Sequence, residues 1–167
     1  MNSLNDPEMM AALERASAAG VQIQLNIRGI CCWVPGTVEG QANTRIVSIV
    51  DRYLEHARIF SFGNGGSPLV YIASADWMRR NLDRRVELMV PIEDRRLAAR
   101  VQAVLDACFR DNLQACLIRP DGTSVPVPRD ERMPAFAMQE HLQTQARQNA
   151  RDRERAGRLT LEPHRPR

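Results

Sequence analysis

Residues 21–28, VQIQLNIR, alternate apolar and polar side chains without a break. Val21, Ile23, Leu25 and Ile27 therefore share one face of an extended chain, and Gln22, Gln24, Asn26 and Arg28 the other, the pattern of a half-buried strand. The preceding segment, DPEMMAALERASAAG, has the other period. Met9, Met10, Leu13 and Ala16 fall on one face of a helix; Asp6 can cap its start, Pro7 suits the first turn, and Gly20 can take the left-handed closing position. A helix handing over to a strand within a few residues points to layered α/β architecture.

The rest of the chain repeats that exchange. After a loop, CCWVPGTVEGQAN, the segment SIVDRYLEH reads as a helix with Ser48 and Asp51 spaced as a capping box and Ile49, Val50, Tyr53 and Leu54 on its apolar face. ARIFSF and PLVYIAS read as two strands of a hairpin joined by GNGGS. ADWMRRNL reads as a helical turn and RRVELMVPI as a further strand. EDRRLAARVQAVLDACFRDN has the strongest helical stripe, through Leu97, Val101, Val104, Leu105 and Cys108. LQACLI is a late strand, RPDGTSVPVPRDERM a loop and PAFAMQEHLQTQA a closing helix. The expected fold is α/β, a mixed β-sheet flanked by helices.

Charge divides the chain in two. All 23 basic residues are arginine, and the net charge is +3. Seven arginines lie between Arg147 and Arg167 against Asp152, Glu154 and Glu162, so the end carries the basicity. We expect a folded domain over residues 1–146 and a disordered, arginine-rich tail over 147–167. No run reaches the eighteen or so apolar residues of a membrane span. The first residues lack the layout of a secretory signal, which points to the cytoplasm. The four cysteines have no zinc spacing, and adjacent Cys31 and Cys32 form an awkward disulfide pair, so buried free thiols are expected.

The candidate chemistry centres on His56. At the end of the expected helix, the negative end of the helix dipole favours a cationic ring, and Arg58 two residues on would share its side. A histidine beside an arginine suits a phosphoryl group, but an unremarkable surface histidine fits as well. Arg28 ends its strand on the polar face before Gly29, open to a ligand or to a carboxylate partner. Arg79, Arg80, Arg84 and Arg85 form either a solvated face or a polyanion track. GNGGS lacks the lysine of a nucleotide P-loop and is read as a turn.

His56-x-Arg58, YIASADW and NLDRRVE together resemble the phospholipase D superfamily, with arginine in place of the lysine of H-x-K and Ser74 and Asp76 in the G-S-x-N-like element. More specifically, RGICC, YLEH and SADWMRRNLDRRVE, with LIRPDG following in order, resemble the C-terminal catalytic region of bacterial polyphosphate kinase over about residues 1–146. That resemblance implies a phospholipase D-like domain of an enzyme that moves the terminal phosphate of ATP, with magnesium, reversibly onto polyphosphate through a phosphohistidine. It implies nucleotide-phosphate contacts at Arg28 and His56, with a general-acid role open to His56; Arg58, Arg79, Arg80, Arg84 and Arg85 remain candidate phosphate or polyphosphate contacts on the reading of the residues alone.

The phosphorylated histidine, the magnesium-contacting arginines and the adenine-contacting tyrosine of that family lie upstream of the matching region, and Met1 falls inside the family's pattern. EGQANTRIV departs from the family's L-S-E-N-I-like loop, and Ala73 stands where glycine is common. The expectation is a part of a polyphosphate kinase, inactive alone, whose partners are ATP or ADP, polyphosphate, the missing N-terminal domains and, in the full enzyme, other copies of itself, with no role for nucleic acid. The alternatives are a phospholipase D-like phosphodiesterase half-domain and a non-catalytic polyanion-binding module.

Overall fold

The computed structural model describes residues 1–36 and 43–158, excepting the side chains of residues 156–158. Helix α1 (Pro7–Ala18) starts as its sequence dictates, with the Asp6 carboxylate accepting from the Met9 amide at 2.9 Å, and Gly20 behind it has φ +85°. Strand β1 (Ile23–Asn26) follows and pairs in parallel with β2 (Thr44–Ile49). The hairpin β3 (Ile59–Phe62) and β4 (Leu69–Ala73) turns through a 3₁₀ element at Asn64–Gly66, where Gly65 and Gly66 have positive φ. Then come α2 (Arg79–Arg84), β5 (Met89–Pro91), α3 (Arg95–Arg110), β6 (Ala115–Ile118), β7 (Ser124–Pro126) and α4 (Met138–Arg158).

The strands form two sheets rather than one. A four-stranded mixed sheet has the order β1-β2-β6-β7, with β6 antiparallel to both neighbours, and a three-stranded antiparallel sheet has the order β3-β4-β5. On one face of the larger sheet, Ile23, Leu25, Ile27 and Ile46 pack against Met9, Met10, Leu13 and Ala16 of α1. A second cluster joins Ile49 of β2 to Ala107 and Cys108 of α3, Ala115 of β6 and Met138 of α4. Burial pushes the Cys108 thiol up to about 11.

Four expectations need correction. Residues 48–56 are not a helix: Ser48 and Ile49 end β2, and residues 50–58 run as bends and coil into β3. The supposed capping residue Asp51 accepts from the Arg52 amide instead. Inside the expected loop after β6, residues 124–126 form β7. The closing helix continues through residue 158, so the first part of the expected disordered tail is helical; residues 159–167 lie outside the described residues. The cysteines are free, but only Cys108 is buried and Cys32 is exposed.

Candidate functional site

Arg28 leaves the carboxyl end of β1 half-buried and reaches two neutral acceptors: the Glu55 carbonyl, and Asn2 Oδ1 at 2.6 Å. Arg58, two residues past His56, donates to the His56 carbonyl at 3.0 Å. Two guanidinium groups thus hold two consecutive carbonyls. A third clamp lies upstream, where the buried Gln139 side chain of α4 accepts from the Tyr53 amide and donates to the Tyr53 carbonyl, both at 2.8 Å. These contacts fix an irregular segment that has no ladder of its own and leave His56, the residue after the Arg28-bound Glu55 carbonyl, exposed; neither His56 nor Arg58 lines the cleft described below.

The two arginines differ in their counter-charge. Arg58 makes a two-pronged pair with Asp76, Nε to Oδ1 at 3.1 Å and Nη2 to Oδ2 at 2.8 Å, and the two side chains are 10% and 3% exposed. Burial disfavours ionisation of Asp76, but the hydrogen bonds from Arg58 and the Asn2 amide outweigh it and hold the carboxyl below the ordinary aspartate range. Arg28 has no carboxylate within ion-pair distance among the described residues. Glu55 is nearby, and its own carboxyl is pushed up by burial despite the attraction of Arg28.

The remaining candidates separate from this place. Arg79, Arg80, Arg84 and Arg85 are exposed on α2 and at its end; Arg79 pairs with Asp83 at 3.3 Å, and none of the four lines the cleft described below. Ser74 and Asn81, from the other matched elements, both donate to Glu87, and the Leu88 amide returns to Ser74 Oγ at 3.0 Å. That cluster ties α2 to the start of β5. Gly29 is needed by the chain itself: a Cβ there would lie 3.0 Å from the Asn2 carbonyl, which the Gly29 amide bonds at 2.8 Å. Sequence reasoning missed Asn2, Glu55 and Gln139; no local pattern marks a residue whose partner is 26 or 86 positions away. No trio of His, Cys, Asp or Glu among the described residues could hold a metal ion.

Arg28 and Glu55 line one cleft of about 440 Å³, whose walls include β1 and β3, with further lining from α1, α3, Met1, Ile49, Trp77 and Met138. Residues 1–154 match the family described as Polyphosphate kinase C-terminal domain 2. The chain belongs to this family. It is 48% identical over 168 residues to a polyphosphate kinase of Rhodopirellula baltica, a match covering 99% of this chain and 20% of that protein. A polyphosphate kinase 1 of Chlorobaculum tepidum is 47% identical over 161 residues, covering 96% of this chain and 23% of its own length. The crystal structure of polyphosphate kinase from Porphyromonas gingivalis superimposes with a TM-score of 0.84 at 38% identity, over 89% of this chain and 23% of that one. The chain thus spans between a fifth and a quarter of the length of these polyphosphate kinases. Among the described residues of this polyphosphate kinase domain, no helix is long and apolar enough to cross a membrane.

Proposed function

We propose that this polyphosphate kinase domain supplies the Arg28–His56 corner of a nucleotide site, in an enzyme that transfers the terminal phosphate of ATP to polyphosphate. The observation that carries this reading is the clamped 53–58 segment, which presents an exposed His56 one residue after the Glu55 carbonyl held by Arg28, an arginine bonded only to neutral acceptors. Such an arginine keeps its positive charge available to a phosphate oxygen, and a neighbouring imidazole can donate a hydrogen bond or a proton to the same group. The histidine's role no longer draws on a helix dipole, since no helix ends there.

The chain alone does not turn over in this reading, because phosphoryl transfer depends on positioning donor, metal and acceptor together. In this reading magnesium and the nucleophile belong to parts of the longer enzyme outside this chain. The phospholipase D-like reading extends to architecture but not to phosphodiester cleavage: Arg58, at the lysine position of H-x-K, is fully engaged with Asp76. Polyphosphate contacts by Arg79, Arg80, Arg84 and Arg85, a cytoplasmic location and self-association of the whole enzyme are part of the same proposal.

Calorimetry with MgATP tests it. The parent chain should bind, and Arg28→Ala and His56→Ala should each weaken binding at least about tenfold, the loss of one charge-assisted contact. Equal binding by parent and variants would sink the assignment of these residues, and steady polyphosphate synthesis by the purified chain would sink the claim of inactivity.

A further inference from the structure

The smaller sheet ends in a bare edge. β5 is its last strand, with β4 on one side and no strand beyond it among the described residues. The Leu88 carbonyl accepts from the Ser74 amide at 3.0 Å and the Ile92 amide donates to the Val70 carbonyl at 2.8 Å, so the backbone groups of Leu88, Val90 and Ile92 point toward β4. Those of Glu87, Met89 and Pro91 point to the open side. The side chains along this run are apolar and uncovered: Val86 is 100% exposed, Leu88 70%, and Met89 and Val90 about half. Charge bounds the run, with Arg84 and Arg85 before it and Glu93 and Asp94 after it. All four are exposed, and none is in an ion pair among the described residues.

That order of residues is complementary to its own reverse. When two copies of RVELMVPIE lie antiparallel about a twofold axis at Met89, Arg85 of each faces Glu93 of the other, Val86 faces Ile92 and Leu88 faces Val90. Met89 faces its own copy and exchanges N–H to carbonyl bonds both ways, and the Glu87 amide meets the Pro91 carbonyl on either side. Pro91 has no N–H to leave unmet. Glu87, the charge inside the run, does not stand unpaired, because its carboxylate already accepts from Ser74 and Asn81 of its own chain. The neighbouring registers fail. An axis at Val90 sets Arg85 against Arg95 and Glu87 against Glu93, and an axis at Leu88 sets Asp83 against Glu93 and leaves Arg85 opposite Pro91.

We propose that the free edge of β5 is a self-association surface, which pairs antiparallel with β5 of a second copy of this chain and joins the two smaller sheets into one across a twofold axis. The pairing is closed: once β5 is covered, no third copy can add there. The shortness of the strand and Pro91 keep it weak, since so few ladder bonds and apolar pairs bury less than a standard interface. Concentration therefore controls the contact. It goes beyond the self-association assigned above to the whole enzyme by placing a contact on this domain, and it rests on neither Arg28 nor His56.

Sedimentation equilibrium of the full chain, with neither nucleotide nor polyphosphate present, tests it. The parent should show a concentration-dependent equilibrium between monomer and dimer. Arg85→Glu and Glu93→Arg should each weaken dimerisation at least about tenfold, because like charges then face each other at both ends of the pair. The double variant Arg85→Glu/Glu93→Arg restores opposite signs and should recover most of the affinity, a rescue that a role for Arg85 confined to its own chain does not produce. Hydrogen exchange reads the register. As concentration rises, the Glu87 and Met89 amides should slow at least about tenfold, while those of Leu88 and Ile92, already bonded to Ser74 and Val70, hold steady. A chain that stays monomeric up to about 1 mM overturns the proposal. So does a double variant that associates no better than either single one, or protection that rises elsewhere while Glu87 and Met89 are unchanged. Calorimetry with MgATP has no bearing on these readouts, so the nucleotide reading and this one fail separately.

Discussion

Arg28 and Arg58 hold neighbouring carbonyls, those of Glu55 and His56, in unlike surroundings. Arg58 is buried against a carboxylate that matches its fork. Arg28 is bonded to an amide and a carbonyl only, with no ion-pair partner among the described residues. The same side chain therefore does two jobs. A buried, compensated guanidinium holds two segments together, and an uncompensated one at a cleft keeps its field for a ligand.

The largest expected effect breaks the compensated side. Asp76→Ala leaves Arg58 buried without its partner and should destabilise the fold by about 3–5 kcal/mol, read from urea unfolding. If the loss is under about 1 kcal/mol, the pair is not the structural member of the comparison. Gln139→Ala removes both hydrogen bonds to Tyr53 and should cost about 2 kcal/mol. It should also weaken MgATP binding, because the segment carrying His56 loses its upstream clamp. Intact affinity would show that Arg28 and Arg58 position His56 by themselves.

Arg28→Ala should reverse the balance, with a stability loss of only about 1 kcal/mol and the larger effect on MgATP affinity. Arg28→Lys keeps the charge but loses the fork that reaches both Glu55 and Asn2, so it should recover only part of the binding.

Acid titration separates the two corners by sign. The folded Asp76 carboxyl is held low, so its contribution is complete above about pH 4 and lost as pH falls through the folded value; Asp76→Asn should flatten that acid limb. The folded Glu55 carboxyl is raised, so its ionised form disfavours folding at neutral pH, and the penalty is relieved as pH falls toward about 4.3. Glu55→Gln should therefore raise stability at pH 7, and a loss there would mean the carboxylate supports Arg28 more than burial opposes it. The smallest effect is expected from Arg79→Ala: its pair with Asp83 is exposed, and the change should stay within about 0.5 kcal/mol.

Elements with local signals were legible. α1 carries its own cap and closing glycine, α3 its apolar stripe, and the β3–β4 hairpin its glycine turn, so each could be placed without knowing any neighbour. β2 was not. Ile49, Val50, Tyr53 and Leu54 match a helical face, yet Val50 and Leu54 are largely exposed, while Ile46 and Val47, adjacent in sequence, are both fully buried. A strand between β1 and β6, covered on both faces, shows no alternation, and so its short apolar run has no period that separates it from a helix. The site divides in the same way. Arg28 and His56 stood out from the sequence, but the selection between Arg28 and Arg58 depended on Asp76, Asn2 and Gln139.

By itself, the sequence determined α1, α3, the hairpin, the family and the two residues most worth testing, because periodicity, caps and motif spacing are local properties. Tertiary structure decided that His56 lies on a clamped coil, that Arg58 is paired with a carboxylate while Arg28 is not, and that the strands divide into two sheets. Those outcomes come from pairings between residues 18 to 86 positions apart, whose energies depend on burial and counter-charge that no stretch of sequence contains.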